Sequence, residues 1–359
     1  MIQKIKIIFL CPYPFDEVAS QRFRFEQYFG FLEKHNFRYS CHSFYSAWTY
    51  SILYRKNNLL QKVAGTSLGF IRRIIHIFYS ITADFVFLHR ELTPIGPPVY
   101  EWILARVMRK KIIYDFDDAI WLPNTSIENR LVSKLKWHNK FFSVCRWSHK
   151  INCCNKFLAD IARSYNPHVI TIPTMPDPLK FAKISDAEGK ERITIGWTGT
   201  HSTMPYLSPL VEVIKKVIEQ HPNVDFRMIC NKEPEWKIQN MQYIPWNKKT
   251  EVDDLSGIDI GLMPLPDTDW AEGKCGFKIL QYFSMGIPAI ASKVGVNKEI
   301  IEPGKNGYLC SNSKEWHESL CLLVESGELR KKLGQNGRQL AEETYSPELY
   351  SINFLGLFE

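Results

Sequence analysis

The stretch GKCGFKILQYFSMGIPAIAS, residues 273–292, holds one complete α/β unit. Phe277, Leu280 and Phe283 recur at three-residue steps, which predicts a short helix opening near Gly276 with those rings toward a core. Pro288 then leads the apolar run Ala289–Ile290–Ala291, the pattern of a strand buried on both faces. Lys274, Lys278 and Gln281 share another face of the helix at spacings of four and three. A helix N-terminus already carries about +0.5 of partial charge, so lysines there call for an anion. Gly273 and Gly276 let backbone approach such a ligand closely, and N–H groups of a first helical turn suit phosphate oxygens.

The same alternation runs outward in both directions. Toward the N-terminus, IKIIFL, DFVFLHR, KKIIYDF, KINCC and VITIP read as strands, separated by helical stretches such as RFEQYFGFLEKH and VYEWILARVMRKK. PTMPDPLKFAKISDAEGKE shifts to Pro, Asp, Lys and Gly, the composition of a linker. The alternation restarts with RITIGWTG, DFRMIC, MQYIPW and IDIGLMPL. A chain of 359 residues exceeds the roughly 250–300 at which a single core stops growing. These patterns predict two doubly wound α/β domains: residues 1–175, a linker at 176–190, a second domain at 191–340, and a C-terminal helix at 341–359 packing back across the junction.

With 45% hydrophobic and 23% charged residues the composition is that of a globular protein. The net charge of +7 favours an acidic partner: a nucleotide, a nucleic acid or an anionic membrane. Basic and aromatic residues do not interleave over a broad stretch, which argues against nucleic acid. The nine cysteines include no C-x-x-C pair, so they are read as buried thiols rather than metal ligands. The run SLGFIRRIIHIFYSITADFVFL is broken by Arg72, Arg73 and Asp84, short of a spanning helix. The expected location is cytoplasmic; the segment that carries Arg72, Arg73 and His76 beside Phe70, Ile74, Ile75 and Phe78 is expected to pack against the N-terminal sheet, with a peripheral contact on anionic lipid as the alternative.

In open α/β sheets ligands bind beyond the carboxyl ends of the strands, and those loops hold the unusual chemistry here. YDFDDAIW places Asp115, Asp117 and Asp118 at one strand end, with Asp115 and Asp117 on one side if the strand continues. A D-x-D pattern also suits a divalent cation. ASQRFRFEQY adds Arg22 and Arg24, and FLHRE adds His89 and Arg90; arginine forks match phosphates and carboxylates. In the second half IGWTGTHSTMPYL offers Gly199 and Thr200, and QYIPWNKKTEV offers Trp246 as an aromatic wall.

Taken in order, YDFDDAIW, DIGLMPLPDTDWAEG, GKCGFKILQYFSMGIPAIAS and EIIEPGKNGYL resemble the retaining glycosyltransferases of family four, in a bacterial branch that makes surface polysaccharides. The resemblance implies the GT-B fold, two Rossmann-like domains facing across a cleft, with a nucleotide-diphosphate sugar held mainly by the second. It implies a UDP-sugar as donor, a glycan or lipid-linked glycan as acceptor, and no metal or other cofactor. The implied donor site is Gly199, Thr200, Trp246, Glu272, Gly273, Lys274, Cys275, Gly276, Phe277, Lys278 and Gln281. Arg22, Arg24, Arg90 and Asp118 would bind acceptor; Asp117, Asp115, Lys278 and His89 would serve catalysis. The family's two glutamates, with seven residues between them, are replaced by Gly273 and Gln281, which leaves Glu272 to meet the sugar hydroxyls. Two rival readings share the architecture: a nucleotide-sugar epimerase, and a two-lobed binding protein without turnover.

Overall fold

The computed structural model describes residues 4–53, 55, 58–123, 136–181 and 191–359. They form two units: Met1–Thr174 together with Pro347–Glu359, and Met175–Ser346.

In the first unit the apolar runs become β1 (Lys6–Cys11), β3 (Phe85–His89), β4 (Lys111–Phe116), β5 (Lys150–Cys153) and β6 (Val169–Thr171), joined by β2 (Arg38–Ser43). All pairings are parallel, in the order β2-β1-β3-β4-β5-β6. β1, β3 and β4 are buried almost end to end, as strands covered on both faces must be. Phe9 on β1 packs among Phe25, Phe29 and Phe87.

The second unit repeats the plan with β7 (Ile193–Gly199), β8 (Val224–Cys230), β9 (Met241–Pro245), β10 (Ile260–Met263), β11 (Ala289–Ser292) and β12 (Gly307–Cys310). Its order, β12-β11-β10-β7-β8-β9, is again wholly parallel and reads 3-2-1-4-5-6 within the unit, the Rossmann order. The expected fold class, two Rossmann-like doubly wound domains, is the one found.

Boundaries differ in detail. Residues 182–190 of the expected linker lie outside the described residues, and Met175 already belongs to the second unit. The helix Gly327–Thr344 runs past residue 340, and the return to the first unit falls at Pro347, which opens the helix Pro347–Leu355. Proline lacks the N–H that would continue the preceding helix, so the chain turns there. The returning segment completes the first core: Phe354 stacks on Tyr28 at 4.3 Å, and Phe358 meets Phe85 edge-on at 5.7 Å.

Four helices of the first unit matter below: α1 (Ala19–Arg22), α2 (Ala47–Leu53), α3 (Leu59–Tyr79) and α4 (Val99–Trp102). α3 packs Arg73 and His76 inward, in line with the expected burial against the sheet and against the alternative in which they line an outer basic face. Both are buried. Arg73 donates to the carbonyls of Cys11, His42 and Leu92, at or just beyond the carboxyl ends of β1, β2 and β3. Each bond from the charged guanidinium contributes about 1.5–3 kcal/mol and ties the helix to these strand ends. Gly65 and Gly69 face inward too, where an added Cβ would sit 2.5 Å from Thr49 and from Phe44. The polar and small side of α3 therefore faces in, and Ile74, Ile75 and Phe78 face out.

Candidate functional site

Where strand order reverses, the loops at the carboxyl edge separate and leave a ligand crevice. In the second unit that point lies between β7 and β10. The ladder pairs Ile195 with Ile260 and Gly196 with Gly261; beyond it the hydroxyl of Tyr282 accepts from Thr198 N and donates to Leu262 O, both at 3.2 Å. Tyr282 is wholly buried, and burial pushes its phenol well above the usual range. Its ring lies where a side chain on Gly261 would go, 2.4 Å from an added Cβ. One tyrosine thus fastens its helix, Phe277–Ser284, to the switch point.

That helix opens at Gly276, whose φ of 67° is the left-handed conformation glycine adopts without strain. An added Cβ would also strike Ile300 at 2.3 Å. Leu280 and Phe283 are fully buried as expected, whereas Phe277 is half-buried. Lys278, half-buried, stands in a first turn that contains no acidic residue. Lys274 does not share its face: the left-handed turn at Gly276 breaks the helical period, and Lys274 lies over the Trp270 ring at 4.8 Å. Gly273 caps the short helix Asp269–Glu272, and both Gly273 and Cys275 are buried. Glu272 accepts from Gly295 N at 3.2 Å and pairs with Lys298 at 3.7 Å.

Gln281 is buried, and its amide donates to Glu251 Oε1 at 3.3 Å. The same oxygen receives the indole N–H of half-buried Trp246 at 3.4 Å. The structure thus joins Trp246 and Gln281 through a carboxylate that sequence reasoning passed over. Glu251 sat in the loop already singled out, at the first turn of the helix Glu251–Ser256, but its partner is thirty positions away. Gly199 ends β7 under the Trp197 ring, 2.3 Å from an added Cβ, so packing alone requires glycine there. Thr200 is exposed; its N–H donates to Thr203 Oγ1 at 3.1 Å, and its hydroxyl pairs with Ser202 at 2.8 Å.

In the first unit the reversal lies between β1 and β3. There His89, Asp115 and Asn152 stand in register on β3, β4 and β5 and form one buried row. Asp115 accepts from Asn152 at 2.7 Å, from His89 Nδ1 at 2.6 Å and from Arg24 at 2.5 Å. Burial alone would raise its pKa, but the Arg24 guanidinium and the His89 bond prevail and hold it below the usual carboxylate range. Asp115 is accordingly a buried anchor and not a proton acceptor, which corrects the expectation. Arg24 is corrected with it: fully buried and donating also to Ile172 O, it cannot greet an acceptor at the surface. His89 keeps its second ring nitrogen, Nε2, buried and without a hydrogen-bond partner.

Asp117 does not share a side with Asp115, because β4 ends at Phe116. Arg90, with φ at 59°, donates its backbone N–H to Asp115 O and its guanidinium to Asp117 at 2.7 Å and Asp118 at 2.9 Å. Burial would lower the Arg90 pKa; the two carboxylates raise it instead. Arg22 is half-buried, 3.6 Å from Asp16 and over the Phe23 ring. The loop after β1 is pinned by Gln21, bonded to both N–H and C=O of Tyr13, and by Glu26, which accepts from Asp16 N and Gln21. Among the described residues no three His, Cys, Asp or Glu side chains are placed to hold a metal ion.

Two Rossmann-like units in tandem, each with its own switch point, make up the GT-B fold. A glycosyltransferase from Rickettsia africae ESF-5 has a similar fold, with a TM-score of 0.68 over 99% of this chain and 98% of that one at 13% identity. Anabaena Alr3699/HepE in complex with UDP and glucose superposes with a TM-score of 0.64 over 98% of both chains at 14% identity. Residues 188–340 match the family model described as glycosyl transferases group 1. Spore coat protein SA of Bacillus subtilis (strain 168) is 38% identical over 77 residues, 21% of this chain and 20% of that protein's length.

Proposed function

We propose that this protein is a retaining glycosyltransferase of cell-surface polysaccharide synthesis, moving a sugar from a UDP-sugar to a hydroxyl of a glycan or lipid-linked glycan. The observation that carries the reading is the helix Phe277–Ser284, capped by left-handed Gly276 and fastened to the switch point by Tyr282, with Lys278 in its first turn. It lies within the part of the chain that matches the glycosyltransferase family model. A departing nucleoside diphosphate gains negative charge as the sugar leaves, and a fixed dipole and a cation aimed there stabilise the transition state. These groups take the place of a metal ion. The Trp246–Glu251–Gln281 cluster lies beside the base and ribose, and Glu272 serves the sugar hydroxyls. In the first unit Arg90 with Asp117 and Asp118 orients the acceptor, with Arg22 nearby, while the buried His89–Asp115 pair supports that strand end.

The test is Lys278→Ala. We expect turnover at saturating UDP-sugar, without added metal, to fall about 100- to 1,000-fold while the melting temperature of the free protein stays put. UDP at about 100 times its dissociation constant should stabilise the wild type by about 2.7 kcal/mol and the variant by much less. Equal turnover in the two proteins would remove the central assignment.

A further inference from the structure

The Trp246–Glu251–Gln281 cluster fixes the direction of an amide. An indole N–H can only donate, so the bond from Trp246 Nε1 at 3.4 Å marks Glu251 Oε1 as an acceptor. Gln281 meets the same oxygen at 3.3 Å and therefore turns its NH2 end toward it. The end left over is Gln281 Oε1. Among the described residues it accepts from no donor, and unlike His89 Nε2 it is not sealed from solvent. An unrestrained carboxamide offers either end to a ligand; here one carboxyl group makes it an acceptor only.

Both partners are held from behind. Glu251 is 6% exposed, in the first turn of the helix Glu251–Ser256, and the backbone N–H of Trp246 donates to Cys230 O at the carboxyl end of β8. Gln281 is 3% exposed, between fully buried Leu280 and Tyr282, and the Tyr282 hydroxyl ties that turn to Thr198 and Leu262. With the backbone fixed, rotation of the carboxamide is the freedom left to Gln281, and Glu251 removes it.

The position of the acceptor says what it meets. Gln281 follows Lys278 by three residues on the same face, about 4.5 Å further along the helix axis. A ligand whose diphosphate sits at the opening turn carries its next group, the ribose, one turn on. The vicinal hydroxyls of a ribose are donors, and the two lone pairs of one amide oxygen can take both. An analogue that lacks a hydroxyl leaves this oxygen without its donor, and sites built around such a bond discriminate strongly.

We propose that Glu251 is a positioning residue that selects ribonucleoside over deoxyribonucleoside diphosphates, by holding the Gln281 carboxamide with its oxygen toward the ribose. The proposal rests on the nucleotide-sugar reading above and adds to it the group that sets the polarity of the ribose contact.

The experiment is titration calorimetry of the full chain with UDP, 2′-deoxy-UDP and 3′-deoxy-UDP, without acceptor. The wild type should bind UDP at least about tenfold more tightly than one or both deoxy analogues. Glu251→Leu should bring that ratio below about threefold, because the freed amide turns. Glu251→Gln, whose own amide oxygen can take both donors, should keep it. The decisive variant is Glu251→Leu with Gln281→Glu: a carboxylate offers oxygen at both ends, so the preference should return although Glu251 is gone. A role confined to packing would not be rescued in this way. Gln281→Glu alone should weaken UDP by at least about tenfold, since it sets two carboxylates against each other; it serves as the test if Glu251→Leu does not keep the wild-type melting curve. UDP binding with no preference over either deoxy analogue, a ratio unchanged by Glu251→Leu or not restored in the double variant, or UDP binding unchanged by Gln281→Glu overturns the proposal and leaves the donor reading in place. No binding of UDP to the wild type removes the donor reading and this proposal with it.

Discussion

Asp115 and Glu26 are both buried carboxylates of the first unit, yet they are opposites. Asp115 is held ionised by Arg24 and His89; Glu26 has only neutral donors at bonding distance, and burial pushes its pKa up to about 7. The sign of the resulting pH dependence follows. Below about pH 4.5 the group is protonated folded and unfolded alike, and its contribution is fully present. Between there and about pH 7 the folded protein keeps a proton that the unfolded chain releases, so stability falls as pH rises, by on the order of 3 kcal/mol in all. Glu26→Gln should flatten that slope in urea titrations followed across the range; an unchanged slope would assign the dependence to another group. Individual residues were unevenly legible in the sequence. Gly276 and Lys278 could be read because a glycine, a helical period and an apolar strand sit side by side. Asp115 could not be told from Asp117, since the difference depends on Arg24, 91 positions away, and on β4 stopping at Phe116.

At the scale of elements, the central strands were legible, and of the four edge strands β6 and β9 were legible while β2 and β12 were not. β1, β3, β4, β7, β8, β10 and β11 are largely buried, so each shows as an apolar run. β2 and β12 lie at sheet edges, where RYSCHS and GYLC are partly exposed and carry no such run. Helices were predicted too long where the backbone changes type: the stretch after Arg22 splits into 3-10 and α pieces, and Val99–Val107 passes from α into π. For α3 the usual assumption that polar residues face out failed, because strand-end carbonyls required Arg73. The tight seat of this helix gives a prediction against intrinsic propensity. Gly69→Ala should favour an isolated helix by about 1 kcal/mol, yet overpacking against Phe44 should destabilise the protein by about 1–3 kcal/mol. Chemical denaturation measures the net effect, and a more stable variant would show that Phe44 can move aside.

At the scale of the whole molecule the chain enters the first unit, leaves it after Thr174 and comes back at Pro347. That return was expected from the helical character of the tail; its starting residue was not, because only the break between Thr344 and Pro347 marks it. Removing residues 347–359 takes Phe354 and Phe358, both nearly fully buried, out of the first core. Loss of two such rings costs about 3–5 kcal/mol each. Proteolysis of the truncated protein should therefore cut within residues 4–174 and leave a resistant fragment near 191–346; the reverse pattern would refute the shared core.

The same return has a consequence in time. Domains emerging from a ribosome usually fold N-terminal first. Here the unit whose strands emerge earlier waits for residues 347–359, while the second already has all its strands. Tyr28, Phe85 and Phe9 meet Phe354 and Phe358 only once residues 347–359 have emerged, so synthesis passes through a stage in which the second unit is finished and the first stays open.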